Sequence, residues 1–172
     1  MATLSELNER AEALVDDNID SILLVDWYNQ CLEELSNILY LPTRQTLTYD
    51  GTGFPIPDDY NGELKILTDV DTTVWEYYDN YIHFDGEEDY ATIDVQYNRF
   101  PALITSSTTE IQDIPARFHS ILVFYACMMY CHVEEEFDRQ VRYEANYNKI
   151  YTQLNKYMSK TRPKPARWGV ER

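Results

Sequence analysis

The side chains that most often carry out chemistry are few in this 172-residue chain, and their spacing favours structural roles. Cys127, Cys131 and His132 lie close together in an apparent helix, where they are possible metal ligands. No second Cys or His cluster in the sequence completes a tetrahedral site with them. The number of cysteines is odd, and Cys31 lies far from the other two. We therefore expect reduced thiols that pack in a hydrophobic core.

The three histidines, His83, His119 and His132, have no recognisable nucleophile motif beside them. A nucleophilic triad needs a Ser or Cys, a His and an orienting acid in one place. The sequence also has no Walker-type or dinucleotide glycine motif, and it contains only five glycines. We therefore expect no enzyme activity, no catalytic residues, no metal and no cofactor, and we expect His119 to be a structural or surface side chain.

Acidic and aromatic residues are the abundant polar groups. One acidic cluster lacks the alternating oxygen ligands and the closing bidentate Glu of a calcium loop, so a solvated turn is the simpler interpretation; it consists of Asp85, Glu87, Glu88 and Asp89. The fifteen tyrosines are suited to a core, a protein interface or a carbohydrate platform. For a chain of this size, core plus interface is the economical interpretation, and carbohydrate binding is an alternative.

The net charge of -16 is distributed unevenly. From Ser159 onward there are five basic residues and one acid, Glu171, so this end of the chain carries +4 and the other 158 residues carry -20. Such an acidic body repels nucleic acid, because binding to the phosphate backbone requires its neutralisation by Lys and Arg. Only the C-terminal tail is expected to attract anions.

Neither a membrane span nor a secretion signal is expected. The longest apolar stretch, Ile114 to Val133, is interrupted by Arg117, His119 and Ser120. The N-terminus has neither the basic region nor the apolar run of a signal peptide.

The pattern of apolar residues predicts two helices at the start of the chain. Ser5 precedes a run with helical spacing that continues to Val15, and residues 16–18 break it. Asp20 is predicted to cap a second helix, which contains apolar residues as far as Leu39 and ends before Pro42.

The segment from Thr43 to Thr109 is rich in β-branched and aromatic residues and contains frequent turn signals. It predicts a small antiparallel sheet or open barrel. The predicted strands are residues 45–49, 63–68, 74–78, 81–84, 91–97 and 103–106.

Two more helices follow. Asp113-Ile114-Pro115 predicts a helix start, with Asp113 as the cap, and the helix that follows is apolar nearly all round, so other elements must cover it on every side. After the acidic break at residues 134–136, an amphipathic helix is predicted to have on or near one face Val141, Ala145, Ile150, Tyr151, Leu154 and Met158. Residues 161–172 contain two prolines and no helical spacing, which predicts an extended tail.

Several of these segments together resemble a known family. They are Asp113-Ile114-Pro115, the apolar helix with Tyr125-Ala126, the acidic break, the segment Tyr147 to Tyr157, and Asp26-Trp27-Tyr28-Asn29. This combination resembles the head–tail connector (adaptor, or head completion) proteins of tailed bacteriophages. The resemblance implies an α+β, mainly helical fold: a four-helix bundle-like core, an antiparallel β insertion between helices 2 and 3, and an extended C-terminal tail.

The domain boundaries that follow are an N-terminal helical hairpin (1–42), a β-rich insertion (43–109), C-terminal helices that form one helical domain with the hairpin (110–160), and an extended basic tail (161–172).

The resemblance also implies a function. Such adaptors form a ring, commonly of twelve subunits, between the portal protein and the tail of the virion, and double-stranded DNA passes through the ring without specific binding. The implied partners are the portal protein, a tail or stopper protein and further copies of the chain, with no membrane. The protein would be made in the host cytoplasm and would lie in the virion neck.

Two groups of residues take roles under this interpretation. The family's C-terminal segment commonly docks into the portal, and the expected anchor consists of Arg162, Lys164, Arg167 and Trp168. The acidic cluster of Asp85, Glu87, Glu88 and Asp89 would then face the channel or remain a solvated turn.

Three alternatives remain at the level of the sequence. The chain is suited to a tyrosine-rich module that binds carbohydrate or protein. Another neck component, such as a tail terminator, is also compatible with the same patterns. An acidic mimic of DNA is supported by charge alone.

Overall fold

A computed structural model of the protein describes residues 2–69, 75–108 and 110–162. In these residues the fold is α+β, as predicted, with four α-helices and two three-stranded antiparallel sheets. The chain divides into two compact units. A helical unit contains the described residues of Met1–Tyr40 and Pro101–Arg172, and a β unit contains those of Leu41–Phe100.

The helical unit is organised around an apolar helix. Its helices are α1 (Leu4–Val15), α2 (Ser21–Leu35), α3 (Ser120–Val133) and α4 (Phe137–Thr161). Helix α3 packs against each of the other three. This arrangement agrees with the expectation that a helix with apolar residues on nearly every side is covered on every side. Burying those side chains is the main stabilising contribution in this unit.

Side-chain caps fix the starts of the first two helices. Thr3 caps α1, which begins one residue before Ser5: the Thr3 hydroxyl accepts the Glu6 N–H at 3.2 Å, and the Glu6 carboxylate accepts the Thr3 N–H at 2.9 Å. Asp20 caps α2 as predicted, because its carboxylate accepts the Ile22 N–H at 2.9 Å. Each cap satisfies backbone N–H groups that have no partner within the helix.

The ends of the predicted helices differ from the structure in two places. Helix α2 ends at Leu35, although the apolar pattern continues to Leu39, which is buried after the helix has ended. Asp113 does not cap α3, because its carboxylate accepts the Ala102 N–H at 2.6 Å and a 3-10 turn precedes the helix. Apolar spacing marks which residues are buried, and it does not fix where the helical hydrogen bonds stop.

The strand predicted at residues 103–106 is wrong, because these residues form no strand. The Asn29 side chain takes the place of a neighbouring strand: its amide donates to the Ile104 carbonyl at 2.9 Å, and its carbonyl accepts the Ile104 N–H at 2.8 Å. Both backbone groups of Ile104 are thereby satisfied within the helical unit.

The β unit contains two sheets. Its strands are β1 (Pro42–Thr48), β2 (Phe54–Pro55), β3 (Lys65–Ile66), β4 (Trp75–Tyr78), β5 (Tyr81–Phe84) and β6 (Thr92–Asn98). The strand orders are β1-β6-β3 and β2-β5-β4. One apolar cluster contains residues of both sheets: Leu47, Phe54, Ile82, Phe84, Ile93, Val95 and Tyr97. The single sheet or open barrel expected from the sequence is therefore two small sheets that share a core.

The chain enters and leaves the β unit at neighbouring positions. Pro42 lies opposite Asn98 at the end of the β1–β6 ladder, and the Arg99 N–H donates to the Leu41 carbonyl at 3.1 Å. Paired residues in an antiparallel ladder have Cα atoms about 5 Å apart. The two ends of this unit are therefore held together by its own longest strand pair.

Candidate protein-binding surfaces

The predicted portal anchor is only partly within the described residues. Arg162 directly follows α4, where its N–H donates to the Met158 carbonyl at 2.9 Å. Its guanidinium carbon lies 5.7 Å from the centre of the Tyr40 ring, within the range of a cation–π contact. Lys164, Arg167 and Trp168 lie outside the described residues.

The acidic cluster forms a turn after β5, which we call the acidic turn (residues 85–89). Gly86 has a φ of 77°, a left-handed conformation that glycine adopts without strain, and a 3-10 turn follows it. The side chains are not equivalent: three of them are exposed, namely Asp85, Glu88 and Asp89. The Glu87 side chain is only 15% exposed.

Glu87 holds the turn together instead of joining the solvated group. One carboxylate oxygen lies 3.1 Å from Nδ1 of His83, and the other accepts the Phe84 N–H at 3.1 Å. The His83 ring in turn stacks on Tyr78, with ring centres 4.0 Å apart and 16° between the planes. Sequence reasoning grouped Glu87 with its neighbours, because the spacing of four acids carries no information about this local pairing.

An aromatic and acidic cleft lies beside the acidic turn. It has a volume of about 450 Å³ and is lined by Glu76, Tyr78, His83, Phe84, Asp85 and Glu87. Tyr77 and Tyr78 on β4 are more than half exposed. Exposed aromatic rings next to carboxylates are able to contact sugars or basic side chains.

The three cysteines are buried in the core, as predicted. Cys31, Cys127 and Cys131 are buried and free of disulfides. Burial raises the pKa of the Cys127 thiol to about 12, so it remains protonated at neutral pH. Among the described residues, no group of three or more His, Cys, Asp or Glu side chains is placed to hold a metal ion.

His119 joins the start of α1 to the start of α3. Its side chain is buried, with Nδ1 accepting the Ala2 N–H at 3.4 Å and Nε2 donating to the Ile114 carbonyl at 2.7 Å. Burial lowers the pKa of His119 below its ordinary value, which favours the neutral ring. These contacts leave the ring no free nitrogen for catalysis.

A carboxylate connects the helices α2, α3 and α4. Glu34 of α2 accepts the hydroxyl of Tyr125 of α3 at 2.9 Å and the hydroxyl of Tyr147 of α4 at 3.0 Å. Burial, together with the Glu34 carboxylate, raises the pKa of both tyrosines. The two hydroxyls therefore stay protonated and remain donors.

Helix α4 carries a surface that the sequence analysis missed, which we call the basic stripe: Arg142, Lys149, Lys156 and Lys160. All four side chains are exposed, and among the described residues none of them forms an ion pair. At 3.6 residues per turn they fall within about 40° of the helix circumference. The net charge of the segment from Ser159 onward does not reveal this stripe. The signal in the sequence is the seven-residue spacing from Arg142 to Lys149 to Lys156.

The outer face of α2 carries the opposite charge. Asp26 and Glu33 are exposed, and we call them the acidic pair. Within the part of the chain that the structure describes, neither carboxylate has an ion pair or a side-chain hydrogen bond. The two are seven residues apart, the same spacing as Lys149 and Lys156.

A protein-family model matches nearly the whole chain. Residues 2–169 match the family model described as SU10 adaptor protein. The matched range includes Lys164, Arg167 and Trp168 of the predicted anchor. No curated protein matches the chain. Among the described residues, no helix combines the length and the apolar character that a membrane span requires.

Proposed function

Because the chain belongs to the SU10 adaptor protein family, a family of phage adaptors, we propose that it forms a ring between the portal and the tail of a tailed bacteriophage. The match over nearly the whole chain confirms the resemblance to phage head–tail adaptors, and it is the observation that carries the proposal. A phage adaptor is a structural component of the virion that connects other components. The ring, its twelve subunits, the portal and tail partners, the passing DNA and the position in the neck are our proposal.

The helical unit is suited to be the frame of the ring. Its four helices are consistent with the proposed four-helix bundle-like core, because α3 packs against α1, α2 and α4, and Glu34 joins three of them. The β unit, with its neighbouring ends, is consistent with an insertion at residues 43–109 between the second and third helices. A frame held by its own core leaves the outer helix faces available for other proteins.

The C-terminal tail is the proposed portal anchor. Arg162, Lys164, Arg167 and Trp168 combine positive charge with one large aromatic ring, a composition that is common in binding hot spots. A portal site with carboxylates and an apolar pocket would recognise it.

The anchor is tested by mixing the purified chain with a phage portal ring and imaging the product by cryo-electron microscopy. The unchanged chain is expected to form a symmetric ring on the portal, and a chain truncated after Lys160 is expected to leave the portal bare. A finer variant carries Lys164→Gln, Arg167→Gln and Trp168→Ala. Its control carries Glu171→Gln and Arg172→Gln, which lie beyond the family match. Bare portals with the unchanged chain would disprove the adaptor function on that portal.

The acidic turn is proposed to line the DNA channel, where negative charge would keep the wall from binding the phosphates. The triple variant Asp85→Lys, Glu88→Lys, Asp89→Lys leaves Glu87 in place, because Glu87 holds the turn. DNA ejection from particles that carry it is expected to slow. The matched control reverses three exposed acids of the helical unit: Glu9, Glu134 and Asp138. Unchanged ejection, or equal slowing by both variants, would contradict a channel position for the turn.

The cleft beside the acidic turn favours a second candidate, a tyrosine-rich module that binds carbohydrate or protein. Its aromatic rings and three carboxylates are groups that bind sugars by stacking and by hydrogen bonds. Glycan binding by the protein that is lost in Tyr78→Ala and kept in Tyr40→Ala would support this function. If no glycan binds, the candidate is rejected for carbohydrate.

A further inference from the structure

We propose that the basic stripe of one subunit binds the acidic pair of a second copy of the chain. This contact, which we call the joint, is the interface between neighbouring subunits in the ring. The inference rests on the proposed ring function and adds the surfaces that form it. The binding partner of the basic stripe is the outer face of α2 in another subunit.

The basic stripe is suited to a long contact along one direction. Arg142, Lys149 and Lys156 recur every seven residues, so each lies about 20° from the previous one around the helix. With a rise of about 1.5 Å per residue, Arg142 and Lys160 are about 27 Å apart along the axis. The buried residues of α4, Tyr147, Leu154 and Met158, lie on the side of the helix away from the stripe, so the stripe itself is available to a partner.

The acidic pair matches the stripe in spacing. Asp26 and Glu33 are about 10.5 Å apart along α2, as are Lys149 and Lys156 along α4. Apolar side chains accompany both charged groups: Ile22, one turn before Asp26, is 69% exposed, and Val141, next to Arg142, is 64% exposed. Exposed apolar groups of this size are suited to burial in an interface, where they add to the charged contacts.

The distribution of charge favours another copy of the chain over nucleic acid as the partner. Residues 1–40 contain nine acids and one base, whereas residues 139–162 contain six bases and one acid. Residues 1–138 contain 28 acids against five bases, and this excess opposes the approach of DNA phosphates to the molecule. Because each chain carries both surfaces, the contact is head to tail, and a head-to-tail contact forms a closed ring when its rotation closes.

A charge exchange tests this joint. The stripe variant carries Lys149→Glu and Lys156→Glu, and the pair variant carries Asp26→Lys and Glu33→Lys. In each variant alone, the side chains at positions 149 and 156 have the same sign as those at positions 26 and 33, so self-association is expected to weaken by about tenfold or more. An equimolar mixture is expected to restore association, because positions 149 and 156 of one variant then meet positions 26 and 33 of the other with opposite sign. The control Arg44→Glu, Lys65→Glu changes two exposed bases of the β unit, gives the same net charge as the stripe variant and is expected to associate normally.

Association is measured by sedimentation velocity at low salt and by imaging on the portal, and circular dichroism checks that each variant is folded. Normal association of the stripe variant, or failure of the mixture to recover, would overturn the joint. Equal loss in the control would attribute the effect to net charge and also overturn it. Loss of DNA binding with intact self-association would make the stripe a nucleic-acid surface instead. If the unchanged chain forms rings on the portal and the stripe variant does too, the joint is wrong while the adaptor function stands.

Discussion

At the residue scale, His119 carries a prediction about pH. Burial lowers its pKa in the folded protein, whereas in the unfolded chain it has the ordinary value of about 6.5. As the pH falls below about 6.5, the unfolded chain takes up a proton that the folded chain does not, so folding stability decreases; above that pH its contribution is fully present. The His119→Gln variant lacks this titration and is expected to lose less stability between pH 7 and pH 5 than the unchanged chain.

The measurement is urea unfolding at several pH values. Because carboxylates also titrate at low pH, the informative quantity is the difference between variant and unchanged chain. His132→Gln, which alters an exposed histidine, is the control and is expected to follow the unchanged chain. If the free energy of unfolding changes with pH in the same way for His119→Gln and for the unchanged chain, a buried, neutral His119 is contradicted.

Sequence reasoning was effective for individual residues where burial alone decides the outcome. The buried cysteines followed from the apolar character of their segment and from the lack of a second ligand cluster. The role of Glu87 was not predictable, because it depends on the folded turn that brings its carboxylate to His83 and to the Phe84 N–H. A carboxylate in an acidic run has the same local sequence whether it is solvated or bonded.

At the scale of the elements, Glu34 is expected to stabilise the packing of α2, α3 and α4. Replacing it with Ala removes the acceptor of two mostly buried hydroxyls, on Tyr125 and Tyr147, and is expected to lower the free energy of unfolding by about 1–3 kcal/mol. Glu34→Gln keeps a side-chain carbonyl as an acceptor, so a smaller loss is expected.

Urea unfolding of the two variants measures this difference. The matched control is Glu33→Ala, whose carboxylate is exposed and bonds to no described residue; it is expected to change stability by less than about 0.5 kcal/mol. Equal effects at positions 33 and 34 would show that the two tyrosine contacts contribute nothing specific.

The order and type of the main elements followed from periodicity, but their ends did not. Leu39 is buried outside the helix that its spacing predicted, and Ile104 is bonded by Asn29 instead of a strand. Contacts with distant parts of the chain decide both cases, and local patterns do not contain them.

The predicted inner face of the last helix was partly wrong for a different reason. Val141 and Ala145 are exposed, whereas Leu154 and Met158 are buried. At about 100° per residue, the first two lie about 100–180° around α4 from the last two, so the four residues do not share one face.

At the scale of the whole molecule, the neighbouring ends of the β unit predict that it is removable. Deletion of residues 42–99, with a short Gly-Ser link from Leu41 to Phe100, is expected to leave a helical unit that unfolds cooperatively, because the hydrogen bonds and packing of that unit lie within it. Circular dichroism and thermal melting measure the outcome.

A deletion of the same length that removes residues 51–108 is the control. It takes away Ile104 and with it both hydrogen bonds of the Asn29 side chain, so it is expected to melt at a lower temperature. Loss of helical structure in the first deletion would contradict the division of the chain into a helical unit and a β unit of Leu41–Phe100.

The sequence also revealed the charge asymmetry of the molecule, but it did not show the basic residues on α4 as one surface. Half of the ten basic residues outside the tail (161–172) lie on α4, and only the winding of the chain into a helix brings residues seven apart onto one face. A sum of charges along the sequence does not show which of the charged residues share one face of a helix.

The β1–β6 ladder also has a consequence for the order of folding. Helices α2 and α3 are separated by residues 36–119, which include the 60 residues of Leu41–Phe100, and closing a flexible loop of 60 residues costs roughly 3–4 kcal/mol of chain entropy. Formation of the β1–β6 pair brings Leu41 and Arg99 together, so the docking of α2 on α3 then has a much shorter loop to close. We therefore expect substitutions that weaken β1–β6 pairing to slow the assembly of the helical unit, although no residue of that ladder belongs to it.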